Sequence, residues 1–233
     1  MNTLAGKVAL VTGGSRGIGA AIAVALAERG ADVAVTYKQD ALAVVEAVKA
    51  TGRRVLVLRA DADDPASAEP AVREVVEHFG ALDVLVNNAG VAGDLDDMWA
   101  VNVRGAWSYA QAAVEHLPSG GRIVNIGSNL GDRVPFPGIT AYAMTKFAVT
   151  GMTRGLARDL APRGITVVQV DPGSTDTDMN PADGPNAPGQ LGLIPLGRFA
   201  APREMAAVAA DLAGPSGAYV TGASIRVDGG INA

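Results

Sequence analysis

Short β-branched runs alternate with longer Ala-rich stretches of helical period along the whole chain. Strands covered on both faces read as continuous apolar runs, so this alternation predicts a parallel sheet with helices on both sides. Seven runs have the strand character: Lys7–Thr12, Val33–Thr36, Arg53–Arg59, Val84–Asn87, Arg122–Ile126, Thr166–Val170 and Ser224–Val227. In the first intervening stretch Ile18, Ile22 and Leu26 lie four apart on one helical face, and Gly30 is placed to stop the helix. Further helices are predicted over Leu42–Ala50, Pro65–Phe79 with proline in its first turn, Trp99–His116, Tyr142–Ala161 and Pro202–Leu212. The expected fold class is α/β, a doubly wound and mostly parallel sheet of seven strands with helices on both faces.

With 233 residues, 48% of them hydrophobic, the chain can bury one substantial core. It contains no internal repeat and no linker between two cores, so residues 1–233 form one expected unit. The one biased stretch runs from Asp171 to Pro195, rich in Pro, Gly, Asn and Asp and without periodicity. A long loop of that kind is expected to act as a lid or binding loop, and residues 174–195 are expected to contact substrate. A net charge of −5 without a Lys/Arg block gives no reason to expect nucleic acid or an anionic membrane as partner. The chain has no cysteine, which excludes disulfides and thiolate metal sites, and its two histidines, His78 and His116, fall at ends of predicted helices and read as surface residues. No metal site is expected. Neither a membrane-length apolar window nor a signal-like start is present, and a cytoplasmic protein is the expectation.

Thr12-Gly13-Gly14-Ser15-Arg16-Gly17-Ile18-Gly19 joins the first strand to the first helix. Glycines there permit a tight turn and let main-chain N–H groups approach a pyrophosphate at the positive helix terminus, where a Cβ would hold it off. Glycines alone are a weak signal. The preceding strand and following helix make the string the dinucleotide-binding turn of a Rossmann fold. At the end of the second strand an acidic residue would bind the adenosine ribose and repel a 2′-phosphate, but the chain has Thr36-Tyr37-Lys38. Arg16 and Lys38 could bind a 2′-phosphate by charge-assisted hydrogen bonds, with the Thr36 hydroxyl as a neutral supplement. NADP(H) is therefore expected over NAD.

Tyr142 and Lys146 stand one turn apart on one face of a predicted helix. An ammonium beside a phenol favours the phenolate and suits the pair to general acid/base work. That spacing is common on helices and needs support. Asn87-Asn88-Ala89-Gly90, Ser128 and Pro172-Gly173 follow the fourth, fifth and sixth strands, whose ends emerge along the sheet edge that carries the glycine loop.

With these motifs, ending in Val227-Asp228-Gly229-Gly230, essentially the whole chain resembles the short-chain dehydrogenase/reductase family, in its single-domain branch of 3-oxoacyl-carrier-protein reductase type. The resemblance implies a catalytic tetrad of Asn102, Ser128, Tyr142 and Lys146. Tyr142 would give a proton to the substrate carbonyl oxygen as hydride arrives, and Ser128 would hydrogen-bond the same oxygen. Lys146 would bind the nicotinamide ribose, and Asn102 would hold a water of a proton relay. It also implies that Asp61 and Ala62 contact adenine, that Asn88, Ala89 and Gly90 line the cofactor, and that Thr175 and Thr177 bind the carboxamide. A homotetramer with an intersubunit helix bundle is implied too, and Phe147, Met152 and Leu156, spread around more than one helix face, fit it. The Asp228-Gly229-Gly230 tail carries no chemistry and reads as a turn near a subunit contact.

The chain departs from the family between Gly90 and Asn102, where eleven residues intervene instead of about twice that number. A more open site wall is expected there, and the usual helix kink at Asn102 is put in question. The expected function is NADPH-dependent, reversible reduction of a ketone or 3-oxoacyl carbonyl. Its rivals are a non-catalytic NADP-binding sensor and a sugar-nucleotide epimerase or dehydratase, for which the chain is short.

Overall fold

Every side chain of β1 (Val8–Val11) is buried, as a strand in the middle of a layer covered on both faces requires. The computed structural model describes residues 2–233. After β1 come α1 (Gly17–Glu28), β2 (Asp32–Tyr37), α2 (Leu42–Ala50), β3 (Val55–Arg59), α3 (Ala68–Phe79) and β4 (Val84–Asn87). The second half continues with α4 (Leu95–Met98), α5 (Ala106–Val114), β5 (Arg122–Ile126), α6 (Thr140–Leu160), β6 (Thr166–Pro172), α7 (Ala187–Leu191), α8 (Pro202–Ala213) and β7 (Ser224–Val227). The seven strands form one sheet in the order β3-β2-β1-β4-β5-β6-β7, and every pairing is parallel.

Alternate strand residues feed two cores. Ala9, Val11, Val33, Val35, Val86, Val124 and Val168 face α1, α2 and α8. Val8, Leu10, Ala34, Leu85, Ile123 and Val167 face α3, α5 and α6. Both layers are buried, and truncating a fully buried member such as Leu10 or Ile123 to Ala should cost about 2–5 kcal/mol. The chain runs outward from β1 to β3 and then returns to lay β4 on the other side of β1. The helices that follow β1 and β4, α1 and α5, pack on opposite faces of the sheet, and in such folds the carboxyl ends of the strands at this reversal are where ligands bind.

Three local differences from the sequence expectation bear on function. The predicted helix over Trp99–His116 starts earlier, at Leu95, because the Asp94 carboxylate caps it by accepting from Asp96 N–H at 2.9 Å. It is then interrupted by a π-helical turn over Trp99–Gly105. The stretch from Asp171 to Pro195 is less irregular than expected, since its first two residues extend β6 and Ala187–Leu191 forms α7. Finally, Leu156 and Met152 of α6 pack into the chain's own second core, and of the three residues expected to reach a partner only Phe147 is exposed.

Candidate active site

The glycine loop depends on missing side chains. Gly13 and Gly17 have φ of 59° and 54°, which other residues rarely adopt. A Cβ on Gly19 would overlap the Asn88 side-chain amide, which donates to Thr12 O at 2.9 Å and Gly13 O at 3.0 Å. Thr12 Oγ1 in turn accepts from Asn88 and Ala89 N–H at 3.0 and 3.1 Å, so the turns after β1 and β4 are sewn together. Arg16, the N-cap of α1, places no side-chain cap on the helix, which leaves the first-turn N–H groups able to meet an anion. Ser15 and Ile18 flank it, both half-buried. Thr177 overhangs the loop, its methyl 3.5 Å from where a Gly17 Cβ would stand.

One expected cofactor residue also serves the glycine loop itself. Thr36 is buried, and its Oγ1 already accepts from Gly13 N–H at 3.0 Å. It supports the glycine loop from beneath. Tyr37 is half-buried beside it, and Lys38 is exposed. The two cations expected at the phosphate stand at the rim and already have carboxylate neighbours. Lys38 forms ion pairs with Asp61 and with Asp63, and Arg16 lies 3.5 Å from Asp178. Hydrogen bonding to Asp61 is the main cause that raises the Lys38 pKa above the ordinary lysine value. Desolvation works to raise the Asp61 carboxyl, but Lys38 and the Asp63 amide hold it below the usual range. Asp61, beside half-buried Ala62, is thus fastened to the same lysine. Solvent-exposed pairs of this kind are weak, so an incoming phosphate dianion can exchange with any of the three carboxylates.

At the chemical end Lys146 is buried, and its Nζ donates to Ile126 O at 3.2 Å while standing 5.6 Å from the centre of the Tyr142 ring. Half-buried Gly90 lies against the same group: a Cβ there would be 3.4 Å from Asn102 Oδ1 and 3.6 Å from Lys146 Nζ. Asn102 sits inside the π-helical turn, so the trimmed segment before it has kept the helix irregular at that residue. Its Oδ1 accepts from Val91 N–H at 2.8 Å, and its Nδ2 donates to Val91 O at 3.0 Å and Thr145 Oγ1 at 3.1 Å. The side chain therefore clips the loop after β4 to the catalytic turn of α6, and a water in its care would have to use the main chain. Ser128 Oγ accepts from Leu130 N–H at 3.1 Å, and its own proton has only a long contact, 3.5 Å, to Asn129 Oδ1. That proton is available to a carbonyl oxygen.

Residues 13–232 match the family described as Enoyl-(Acyl carrier protein) reductase. The chain is similar to a short chain dehydrogenase from Burkholderia cenocepacia solved in complex with NADP, with 51% identity, TM-score 0.97, and coverage of 99% of this chain and 100% of that one. The chain belongs to the short-chain dehydrogenase/reductase family. Among curated members it is 42% identical to the 3-oxoacyl-[acyl-carrier-protein] reductase of Staphylococcus aureus, over 97% of this chain and 98% of that protein. It is also 42% identical, over the full length of both, to the cyclic-di-GMP-binding biofilm dispersal mediator protein of Escherichia coli.

In this member of the family the loop after β6 is held by its own polar side chains. Gln190 of α7 accepts from Ser174 Oγ at 2.6 Å and exchanges hydrogen bonds with the Asn180 side chain at 3.0 and 2.8 Å. Ala187 and Ile194 join Phe199 and Ile231 in a small core of their own. Thr175 is buried, and its hydroxyl donates to Gly173 O at 3.0 Å, so of the two threonines expected at the carboxamide only Thr177 stands over the dinucleotide loop. Pro172 is buried at the end of β6, and the half-buried Gly173 after it abuts Asp228. Two clefts of about 740 and 450 Å³ border this segment around Arg198 and Glu204. Neither is lined by Tyr142 or Ser128.

Sequence reading missed where the tail is anchored and a set of buried polar residues. Asp228 Oδ1 and Oδ2 accept from Gly230 and Asn232 N–H, both at 3.0 Å, and Asn232 Nδ2 donates to Asn129 O at 2.7 Å, which fastens the tail to the residue after Ser128. Asn125 and Gln169 are wholly buried within strands. A polar amide in an otherwise apolar run was the available signal for both.

Proposed function

We propose that this chain reduces a ketone or 3-oxoacyl carbonyl with NADPH as the hydride source, reversibly. The observation that carries the reading is the junction at the end of β5: Lys146 is docked on Ile126 O beneath the Tyr142 ring, two residues before a Ser128 hydroxyl whose proton is free. The residues fit the cofactor. Gly13, Gly14, Gly17 and Gly19 with the uncapped turn of α1 would hold its pyrophosphate, and Arg16 and Lys38 its 2′-phosphate. When bound, the cofactor supplies the hydride for the carbonyl carbon. Tyr142 donates the proton to the carbonyl oxygen, Ser128 donates a hydrogen bond to that oxygen as charge builds on it, and Lys146 favours the phenolate that Tyr142 becomes.

The loop over residues 174–195 is assigned to substrate. Support comes from its position, with Thr177 over the glycine loop and Asp178 beside Arg16. A homotetramer belongs to the same reading, because α4, the π-helical turn, α5 and α6 leave Leu95, Trp99, Trp107, Met144 and Phe147 exposed. Light scattering of the purified protein tests it, and a monomer would remove it. No helix among the described residues is long and apolar enough to cross a membrane. A cytoplasmic location is part of the proposal.

The deciding experiment is steady-state oxidation of NADPH against a 3-oxoacyl thioester and against free bulky or aromatic ketones. Preference for the thioester places the enzyme in acyl-chain reduction, and preference for free ketones removes that role. The cyclic-di-GMP-binding relative supports a second reading, a dinucleotide-binding sensor. Saturable NADPH binding without turnover of any carbonyl would favour it.

A further inference from the structure

Asp171, the residue before Pro172, has no part in the reaction as described above. It is 2% exposed, and its Oδ1 accepts from Gln169 Nε2 at 2.6 Å and from the Ser128 main-chain N–H at 3.1 Å. A carboxylate so buried is costly unless donors surround it. The donors come in a file with one branch, at Gln169, whose Nε2 also donates to Thr150 Oγ1 at 3.0 Å. Asn87 Nδ2 donates to Asn125 Oδ1 at 2.9 Å, Asn125 Nδ2 to Thr153 Oγ1 at 2.8 Å, and Thr153 Oγ1 to Gln169 Oε1 at 3.1 Å. Gln169 then donates to Asp171, and all five residues are buried. The file crosses β4, β5 and β6 against α6, and its sense is set at the last member, since a carboxylate accepts and has no proton to return.

The place where the file ends matters. A Cβ on Gly127 would overlap Asp171 Oδ1 and the Gln169 amide, so the carboxylate reaches the main chain at the one residue there without a side chain. Around it, Ile126 O takes Lys146 Nζ at 3.2 Å, Gly127 N–H goes to Val170 O at 2.8 Å, and Ser128 N–H goes to Asp171. Three successive residues are pinned, and Asp171 pins the one that carries the reacting hydroxyl.

We propose that Asp171 is a positioning residue for the reduction: it clamps the Ser128 main chain so that Ser128 Oγ meets the substrate carbonyl oxygen beside Tyr142. This rests on the reductase reading above. Ser128 is held from both sides, its N–H by Asp171 and its Oγ by Leu130 N–H. Neither contact consumes the hydroxyl proton.

The test uses the full chain, with NADPH binding followed by fluorescence, melting by calorimetry, and kinetics on the carbonyl that wild type reduces fastest. Asp171→Ala should lower kcat about tenfold to a hundredfold, with NADPH affinity and substrate KM little changed. Asp171→Asn keeps an Oδ1 acceptor for both donors and should recover kcat to within about threefold of wild type. Since Asp171 works through Ser128, adding Asp171→Ala to Ser128→Ala should cost nothing further. Should Asp171→Ala not fold, Asp171→Ser, polar but too short to reach the amide, carries the same expectation. Equal loss in Asp171→Asn and Asp171→Ala, or losses that multiply in the double variant, would overturn the proposal and leave Asp171 a support of the fold. Wild type that reduces no carbonyl would overturn the reductase reading and this proposal together, whereas an active wild type with an unimpaired Asp171→Ala overturns this proposal alone.

Discussion

Gly13, Gly17 and Gly19 shape the loop after β1 by what they lack, whereas Ser128 and Lys146, at the other end of the same sheet edge, are placed by what holds them. The first region is a surface of main chain, tied by Thr12, Thr36 and Asn88 and open to an anion. The second is a set of polar groups sunk in the core, each fixed by a specific partner. Damage to the two should therefore look different. Adding atoms to the first obstructs the cofactor, and removing polar atoms from the second slows chemistry on a cofactor that still binds.

The largest effect is expected at the chemical end. Tyr142→Phe should lower turnover about 10²- to 10⁴-fold while NADPH titration stays as in wild type. Substantial residual reduction would contradict Tyr142 as proton donor. At the other end, Gly19→Ala drives a methyl into the Asn88 amide and the Gly13 carbonyl, a strain of about 1–3 kcal/mol. It should raise KM for NADPH and leave kcat at saturation near wild type. A fall in kcat alone would erase the contrast. Removing both rim cations, with Arg16→Ala and Lys38→Ala, should cut the preference for NADPH over NADH about tenfold, less so in high salt. An unchanged preference would place the 2′-phosphate elsewhere.

The smallest effect is in the pH dependence of melting, where two buried carboxylates, one outside both regions and one at the chemical end, should differ in sign. Burial alone would raise the Asp32 carboxyl at the start of β2, but Arg54 and Arg53 hold it below the usual range. Its contribution is present above the ordinary carboxylate pKa and is lost as pH falls through the depressed folded value. Asp171 is pushed up by burial, against Gln169, the Ser128 amide and Lys146, while Asp132 adds to the rise. Its contribution is full below the ordinary carboxylate pKa and is lost as pH rises through the raised folded value. Asp32→Asn should flatten the acid side of a melting-temperature profile, and Asp171→Asn should remove the decline above it. Identical profiles for wild type and both variants would refute the assignment.

The sheet was legible because strands buried on both faces are apolar without interruption, and Val84–Asn87, Arg122–Ile126 and Ser224–Val227 match their predicted bounds. The positions of the proposed reacting residues were legible for a related reason: Ser128 and Tyr142 follow a strand end and a helix start that the hydrophobic pattern marks. What escaped depends on contacts distant in sequence. The π-helical turn is stabilised across space by Asn102 and Thr145, and α7 hides in Ala-Pro-Gly-Gln-Leu, which has no helical period. The bond from Gly13 N–H to Thr36 escaped because burial, not residue type, decides whether a strand-end hydroxyl meets solvent. The carboxylates beside Lys38 and Arg16 lie 23 or more residues further along the chain, as Asp61, Asp63 and Asp178, and no local pattern pairs them.

The sheet order also sets a schedule for synthesis. β1, β2 and β3 can pair as soon as they leave the ribosome, but the other edge of β1 is completed only by β4, and the remaining strands add outward from there. Until Val84–Asn87 emerges, Val8–Val11 offers a bare row of peptide groups flanked by apolar side chains. Such an edge can capture a strand from another nascent chain. The bare edge then passes to β4, β5 and β6 in turn, so the window of aggregation risk during expression closes only when β7 has been made.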